Sequence, residues 1–267
     1  MDKKMIPNAK THLQGFVDLL KLQIPFSFVR FSDGEIEVLR NRYLEIDNGK
    51  TVFRGRSFKN SFPQFDSKRF DPRIHQNIRK DLLASAMFRK DNFFKGIPTS
   101  HNNAIIDREF MLRLNGGYTS EVTFADLLLN SNYQSYRNHV IPLLGEYENI
   151  YVIANYRSKL MGVLASATHI SIPDNFFEKY DEVLEDVMLQ LTSIEPRAIV
   201  ISSASSLSNV VAFRIAQQRA DITFLDVGTS LNDLLSLDSG TRAYHATTKG
   251  WVKRFFYQST KGYEIKW

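Results

Sequence analysis

Apolar positions along this chain follow two different periods, and the points where one gives way to the other mark its elements. Residues 10–22 place Leu13, Phe16, Val17 and Leu20 on one helical face, and Pro25 closes that run. "FSFVRF" (26–31) is aromatic and β-branched and predicts a strand. After Gly34 the spacing of Ile36, Leu39, Tyr43 and Leu44 turns helical. Residues 50–70 are aromatic, basic and turn-rich, and predict an irregular region. In "DPRIHQNIRKDLLASAM" (71–87), Asp71 stands as a cap and Pro72 at the first helical position. Ile74, Ile78 and Leu82 share one face of the predicted helix. "FFKGIP" (93–98) predicts a short strand or turn.

The second half alternates more regularly. Strands are predicted at 149–156, 168–173, 197–203 and 222–228. Helices are predicted at "SKLMGVLASA" (158–167), at "FEKYDEVLEDVMLQL" (177–191) and at "LSNVVAFRIAQQ" (207–218). The second of these carries Tyr180, Val183, Leu184, Val187, Met188 and Leu191 on one stripe. Strands alternating with helices imply an α/β fold, a Rossmann-like, mostly parallel sheet with helices on both faces. There is no internal repeat or low-complexity tract. The whole chain, 1–267, reads as a single domain whose halves would meet near 142–148.

Composition narrows the chemistry. Hydrophobic residues make up 43% and charged residues 24% of the 267 residues, enough for a sizeable core without staples. The absence of cysteine removes disulfides, thiolate metal sites and a cysteine nucleophile. No segment reads as a signal peptide or membrane span, so an intracellular, cytoplasmic protein is expected. The net charge of +5 is uneven: residues 50–113 and the closing stretch from Thr241 are strongly basic. Two cationic zones suit an anionic partner such as phosphates, nucleic acid or a lipid surface, though either alone also fits a solvated face. Glycine-rich dinucleotide and P-loop motifs, H-E-x-x-H and G-x-S-x-G are all missing.

The chemistry concentrates where the first strand ends, in "FSDGE". Ser32 with Glu35 three residues on forms a capping box and needs no further purpose. That leaves Asp33 unexplained. Two carboxylates at the carboxyl end of a strand also suit Mg²⁺ or Mn²⁺, which take oxygen ligands and keep positions open for substrate phosphates. Gly34 would keep the bend tight, and Arg30 stands close enough to share the ligand. In "SSASSLS" (202–208), small side chains would let a phosphate approach a helix N-terminus, with Ser203, Ser205 and Ser206 as candidates beside plain capping. Asp226 and Asp233 lie near the end of the last strand. Either would suit a proton acceptor, Asp233 ahead of Asp226, which could instead cap the turn at Gly228.

"VRFSDGEIEVL" resembles the R-[FY]-x-D-G-E-[IL] signature of bacterial glycosyltransferases of the GT-D fold. "FDPRIHQNIRKDLL", "IVISSASSLSNVVAFRI", "FLDVGTSLND" and "TRAYH" resemble later segments of that family in the same order, so the likeness runs from about Phe28 to His245. The sequence departs from the pattern at Ser32, often Gly; at the Ser-Ala-Ser-Ser loop, where Gly-Pro is common; and at Asn232, where Asp often stands. The resemblance implies transfer of a sugar from a nucleotide donor, typically UDP-linked, with a divalent metal at Asp33 and Glu35. It implies donor contacts from the segment holding Gly228 and Thr229 and from Arg242, a role for His245 at the phosphates or in orienting the acceptor, ribose binding at Asp226 and Asp233 as the base for the acceptor hydroxyl. The acceptor would be a glycan, glycoprotein or lipid-linked molecule, gripped by the basic and aromatic residues between Arg54 and Arg69. Peripheral contact with the inner membrane face would follow, with no specific nucleic-acid binding. Two other readings use the same residues: a metal-dependent phosphoesterase, and a non-catalytic nucleotide or polyanion-binding module.

Overall fold

A computed structural model of the chain describes residues 9–47, 49–59, 62–98, 104–129 and 132–237. Seven parallel strands form the central sheet. In chain order they are β1 (Ser27–Arg30), β6 (Phe93–Ile97), β7 (Val122–Phe124), β8 (Ile150–Asn155), β9 (Thr168–Ile172), β10 (Ile199–Ser202) and β11 (Thr223–Asp226). Across the sheet the order is β7-β6-β1-β11-β10-β8-β9, so β1 pairs with β6 on one side and β11 on the other. Strands from both sides of the 142–148 segment therefore share one sheet.

The apolar runs fold this way because the strands are covered on both faces. Alternate residues enter two separate cores. Val29, Phe31, Phe93, Val200 and Phe224 face one. Phe28, Val152, Ile199, Ile201 and Leu225 face the other. The first core packs against α2 (Asp33–Leu39), α3 (Gln76–Met87), α4 (Ala104–Asn115), α7 (Tyr180–Thr192) and α8 (Ser206–Gln218). The second is covered by α1 (Ala9–Lys21) and by a helical segment in which α5 (Tyr133–Ser135), a π-helical stretch (Tyr136–Val140) and α6 (Ile141–Leu144) run on.

The structure corrects several expectations. Residues 44–70 form a second sheet, not an irregular region: antiparallel β2 (Leu44–Asp47), β3 (Lys50–Phe53), β4 (Arg56–Phe58) and β5 (Lys68–Phe70), in the order β4-β3-β2-β5. The helix after Gly34 ends at Leu39, and Leu44 already belongs to a strand. The helix expected from Pro72 starts at Gln76. Asp71 instead closes a turn, accepting the amide of Arg73 at 2.9 Å on its side chain and that of His75 at 2.9 Å on its carbonyl. Residues 158–167 hold only a short 3₁₀ turn, Gly162–Leu164. α4 and the 133–144 segment had no clear periodic signal.

Two glycines give opposite expectations. In β6, a Cβ on Gly96 would meet Ala125 Cα at 2.9 Å and Phe124 O at 3.0 Å, both backbone atoms that cannot step aside. Gly96→Ala should therefore destabilise by about 1–3 kcal/mol. Gly15 lies exposed inside α1 with open space around it. Gly15→Ala should stabilise by up to about 1 kcal/mol through helix propensity. Paired urea denaturation curves check both signs.

Candidate donor-binding site

The site is assembled from loops at the carboxyl ends of β1, β10 and β11, which are neighbours in the sheet. Ser32 leaves β1 in an extended conformation and caps α2 through a capping box with Glu35, whose Oε2 accepts the Ser32 amide at 3.1 Å. The same carboxylate reaches across to the loop after β10. Its Oε1 accepts the hydroxyls of Ser205 at 3.0 Å and Ser206 at 3.4 Å. Glu35 is only 6% exposed, and these donors offset the cost of burying its charge.

Asp33 takes the other role. It is exposed, and Oδ1 accepts the Gly34 amide at 2.9 Å and the Ser32 hydroxyl at 3.4 Å. Oδ2 has no hydrogen-bond donor among the described residues. Gly34 is not demanded by the bend: it lies within α2, and a Cβ there would meet only Leu44 Cδ2, at 4.0 Å.

The loop after β10 is shaped by serines. Ser208 Oγ accepts the Ala204 amide at 3.1 Å and shares a hydrogen bond with Ser202 Oγ at 2.8 Å. The Ser203 amide is taken by Ile153 O at 2.9 Å. Ser205 sits at φ +51°, ψ −138°, a strained conformation for a residue with a Cβ. The amides of Ser205 and Ser206, at the start of the 13-residue α8, have no backbone acceptor among the described residues.

Arg30 ends β1 and is anchored by Asp226 at the end of β11. Asp226 Oδ2 accepts the Arg30 amide at 3.2 Å, and Oδ1 lies 3.4 Å from the guanidinium. Asn209 Nδ2 donates to Arg30 O at 2.9 Å. At Gly228, φ +50°, a Cβ would fall on the Arg30 guanidinium, so any side chain there would have to displace Arg30. Burial pushes the Asp226 carboxyl up to about 6; Arg30 opposes that rise and the charge of Glu35 adds to it.

Arg30, Asp33, Glu35, Ser203, Ser205, Gly228 and Thr229 all line one cavity of about 290 Å³. Ser206 is buried just behind it, and Asp226 lies beneath Arg30. Asp233 does not line the cavity. It is exposed on the turn after β11 and accepts the Tyr133 hydroxyl at 2.7 Å. Arg242 and His245 lie outside the described residues. The same cavity is also lined by Phe53, Phe58 and Lys68 of the small sheet and by Asn175 and Phe176 after β9. Phe58 and Lys68 fall in the basic, aromatic stretch 54–69; Phe53, Asn175 and Phe176 carried no advance signal.

The described residues hold no group of three or more acidic or histidine side chains arranged for a cation. The residues present fit a site completed by substrate, since Mg²⁺ and Mn²⁺ often bind through one or two carboxylates plus phosphate oxygens. Asp33 has an oxygen to offer. Glu35 would have to give up its serine and amide donors.

The elevated Asp226 carboxyl has a consequence for stability. Between its unfolded value of 3.8 and about 6, the folded state holds a proton that the unfolded state has released. This contribution to stability is complete below the lower value and is lost as pH rises through the window, by on the order of 2–3 kcal/mol. Urea midpoints of the wild type and Asp226→Asn between pH 4 and 7 should show the wild type losing ground to the variant as pH rises. A constant difference, or one of opposite sign, contradicts this.

No protein-family model and no curated protein matches the chain. Two solved structures resemble it, each with a TM-score of 0.50, covering 81% of this chain and 76% of their own. One, at 16% identity, is a selenomethionine form of domain of unknown function 1792. The other, at 15% identity, is that domain described as having a distinct glycosyltransferase fold. The parallel seven-stranded sheet and its flanking helices thus form an α/β architecture of the glycosyltransferase kind.

Proposed function

We propose that the protein is a glycosyltransferase that takes a hexose from a nucleotide-linked donor of the UDP type and passes it to a glycan, glycoprotein or lipid-linked acceptor. The observation that carries this reading is the meeting of Arg30, Asp33 and the Ser203–Ser205 loop around one cavity at the carboxyl edge of a parallel sheet.

In this reading the donor diphosphate lies between the Arg30 guanidinium and the start of α8. There the open amides of Ser205 and Ser206 and the helix dipole favour negative charge. Asp33 would hold Mg²⁺ or Mn²⁺ together with the diphosphate, and the bound ion would supply Lewis-acid stabilisation of the departing phosphate. Asp226 positions Arg30 from beneath. Glu35 positions the serine loop, so its task is to keep the anion-binding amides in register with β1. Asp233, tied to Tyr133 outside the cavity, is not assigned the acceptor-base role.

The two carboxylates should therefore separate by experiment. With Mn²⁺ present, Asp33→Asn should weaken UDP binding about tenfold or more while leaving the melting temperature within about 2 °C, because an exposed side chain is replaced. Glu35→Gln should lower the melting temperature by several degrees, since a buried acceptor of three hydrogen bonds becomes a partial donor. Calorimetric titration with UDP, with and without EDTA, and thermal melts of both variants check this. UDP release from UDP-glucose that needs Mn²⁺ supports transfer chemistry. Phosphate release from simple esters instead points to a phosphoesterase. UDP binding that is indifferent to EDTA and to Asp33→Asn points to a non-catalytic nucleotide-binding module.

A further inference from the structure

Lys68 is the unexplained cation of this cavity. It sits on β5 of the small sheet, paired with Ile46 of β2, and lines the same cavity as Asp33 and Arg30. The placement is firm. Next to it, the Ser67 carbonyl accepts the Asn175 amide at 3.0 Å, and the Arg69 amide donates to Asn175 Oδ1 at 2.7 Å. These bonds fasten β5 to the loop after β9 and so to the main sheet. The Lys68 ammonium crosses to the serine loop, where Nζ donates to Ser205 Oγ at 3.3 Å.

Several other buried and half-buried cations have stronger partners. Arg40 and Arg54 both pair with Asp107, Arg214 pairs with Asp81 and Arg219 with Asp221. Lys95 donates to the carbonyls of Ala86 and Phe88 beside the C-terminus of α3. Lys68 is half-buried, yet its only partner among the described residues is one neutral hydroxyl, and no carboxylate lies within ion-pair distance. That hydroxyl belongs to the strained Ser205, which also donates to Glu35. A partly desolvated ammonium held by one long neutral contact gains by meeting an anion.

We infer that Lys68 binds the diphosphate of the nucleotide donor, with its ammonium leaving the Ser205 hydroxyl for a phosphate oxygen. This rests on the nucleotide-donor reading above and extends it, because it makes the small sheet a working wall of the site. The diphosphate is then held by groups from both sheets, by Arg30 and the start of α8 on the main sheet and by Lys68 from the small one.

The test uses UDP titrated into the full-length protein with Mn²⁺ at two salt concentrations. Lys68→Met removes the charge and the donor. Lys68→Gln removes the charge while keeping a donor. Both should weaken UDP binding about tenfold or more and flatten its salt dependence, and Lys68→Arg should restore most of the affinity. Lys80→Met, an exposed basic change on α3 away from the cavity, should leave binding unchanged. Wild-type affinity in Lys68→Met and Lys68→Gln overturns the inference, as does a fall in melting temperature with unchanged UDP affinity, which would make Lys68 a strut for Ser205. If the wild type itself binds no UDP, the nucleotide-donor reading fails and this inference with it; loss confined to the Lys68 variants cannot be confused with that outcome.

Discussion

The buried carboxylate of Glu35 is the interaction on which the site depends. One oxygen closes the cap of α2, and the other collects two hydroxyls from a loop about 170 residues away in sequence. Buried this deeply, the charge is tolerable only while those donors are in place. The end of β1 and the start of α8 are thereby locked at a fixed separation. The arrangement is reciprocal, because the serines that stabilise the carboxylate are themselves held by it, one of them in a strained conformation.

Around that lock the parallel sheet does the rest. β1 and β10 both flank β11, so three strand ends open on the same side, and the loops leaving them share one crevice. Arg30 is placed by the strand it terminates, by Asp226 on the adjacent strand and by a glycine without a side chain to displace it. The small antiparallel sheet adds Phe53 and Phe58 to the lining and the loop after β9 adds Phe176, so the cavity is both apolar and charged. A ligand with an anionic middle and a flat, less polar flank matches that combination.

Strands buried on both faces, such as "NIYVIAN" and "RAIVIS", were plain in the sequence because they read as unbroken apolar runs. Residues 158–167 misled for the opposite reason. Leu160, Met161, Val163 and Leu164 imitate a helical stripe. Gly162, however, turns left-handed at φ +58°, and the amides of Lys159 and Met161 bond to the carbonyls of Leu235 and Leu234. The small sheet was hidden because its strands are only three or four residues long, and Arg56–Phe58 is exposed throughout, leaving too few positions for alternation to show. At the site, "SDGE" was legible as a pair of carboxylates, and the capping and ligand-binding readings stood as rivals. Both carboxylates reach the cavity, but Glu35 is bound to the cap and to the serine loop, while Asp33 keeps an oxygen without a donor among the described residues. Short-range spacing could not show that division, since it is decided by Ser205 and Ser206. Lys68 was invisible in the same way, as one basic residue in a basic stretch until the fold set it in the same cavity as Arg30.

The most direct measurement is a crystal structure of the protein grown with UDP and Mn²⁺. The expected result is a diphosphate between the Arg30 guanidinium and the amides of Ser205 and Ser206, with Asp33 ligating the ion and Glu35 still bound to its serines. A nucleotide seated elsewhere on the molecule, or this cavity empty at saturating UDP, contradicts a donor site built on the Glu35 lock.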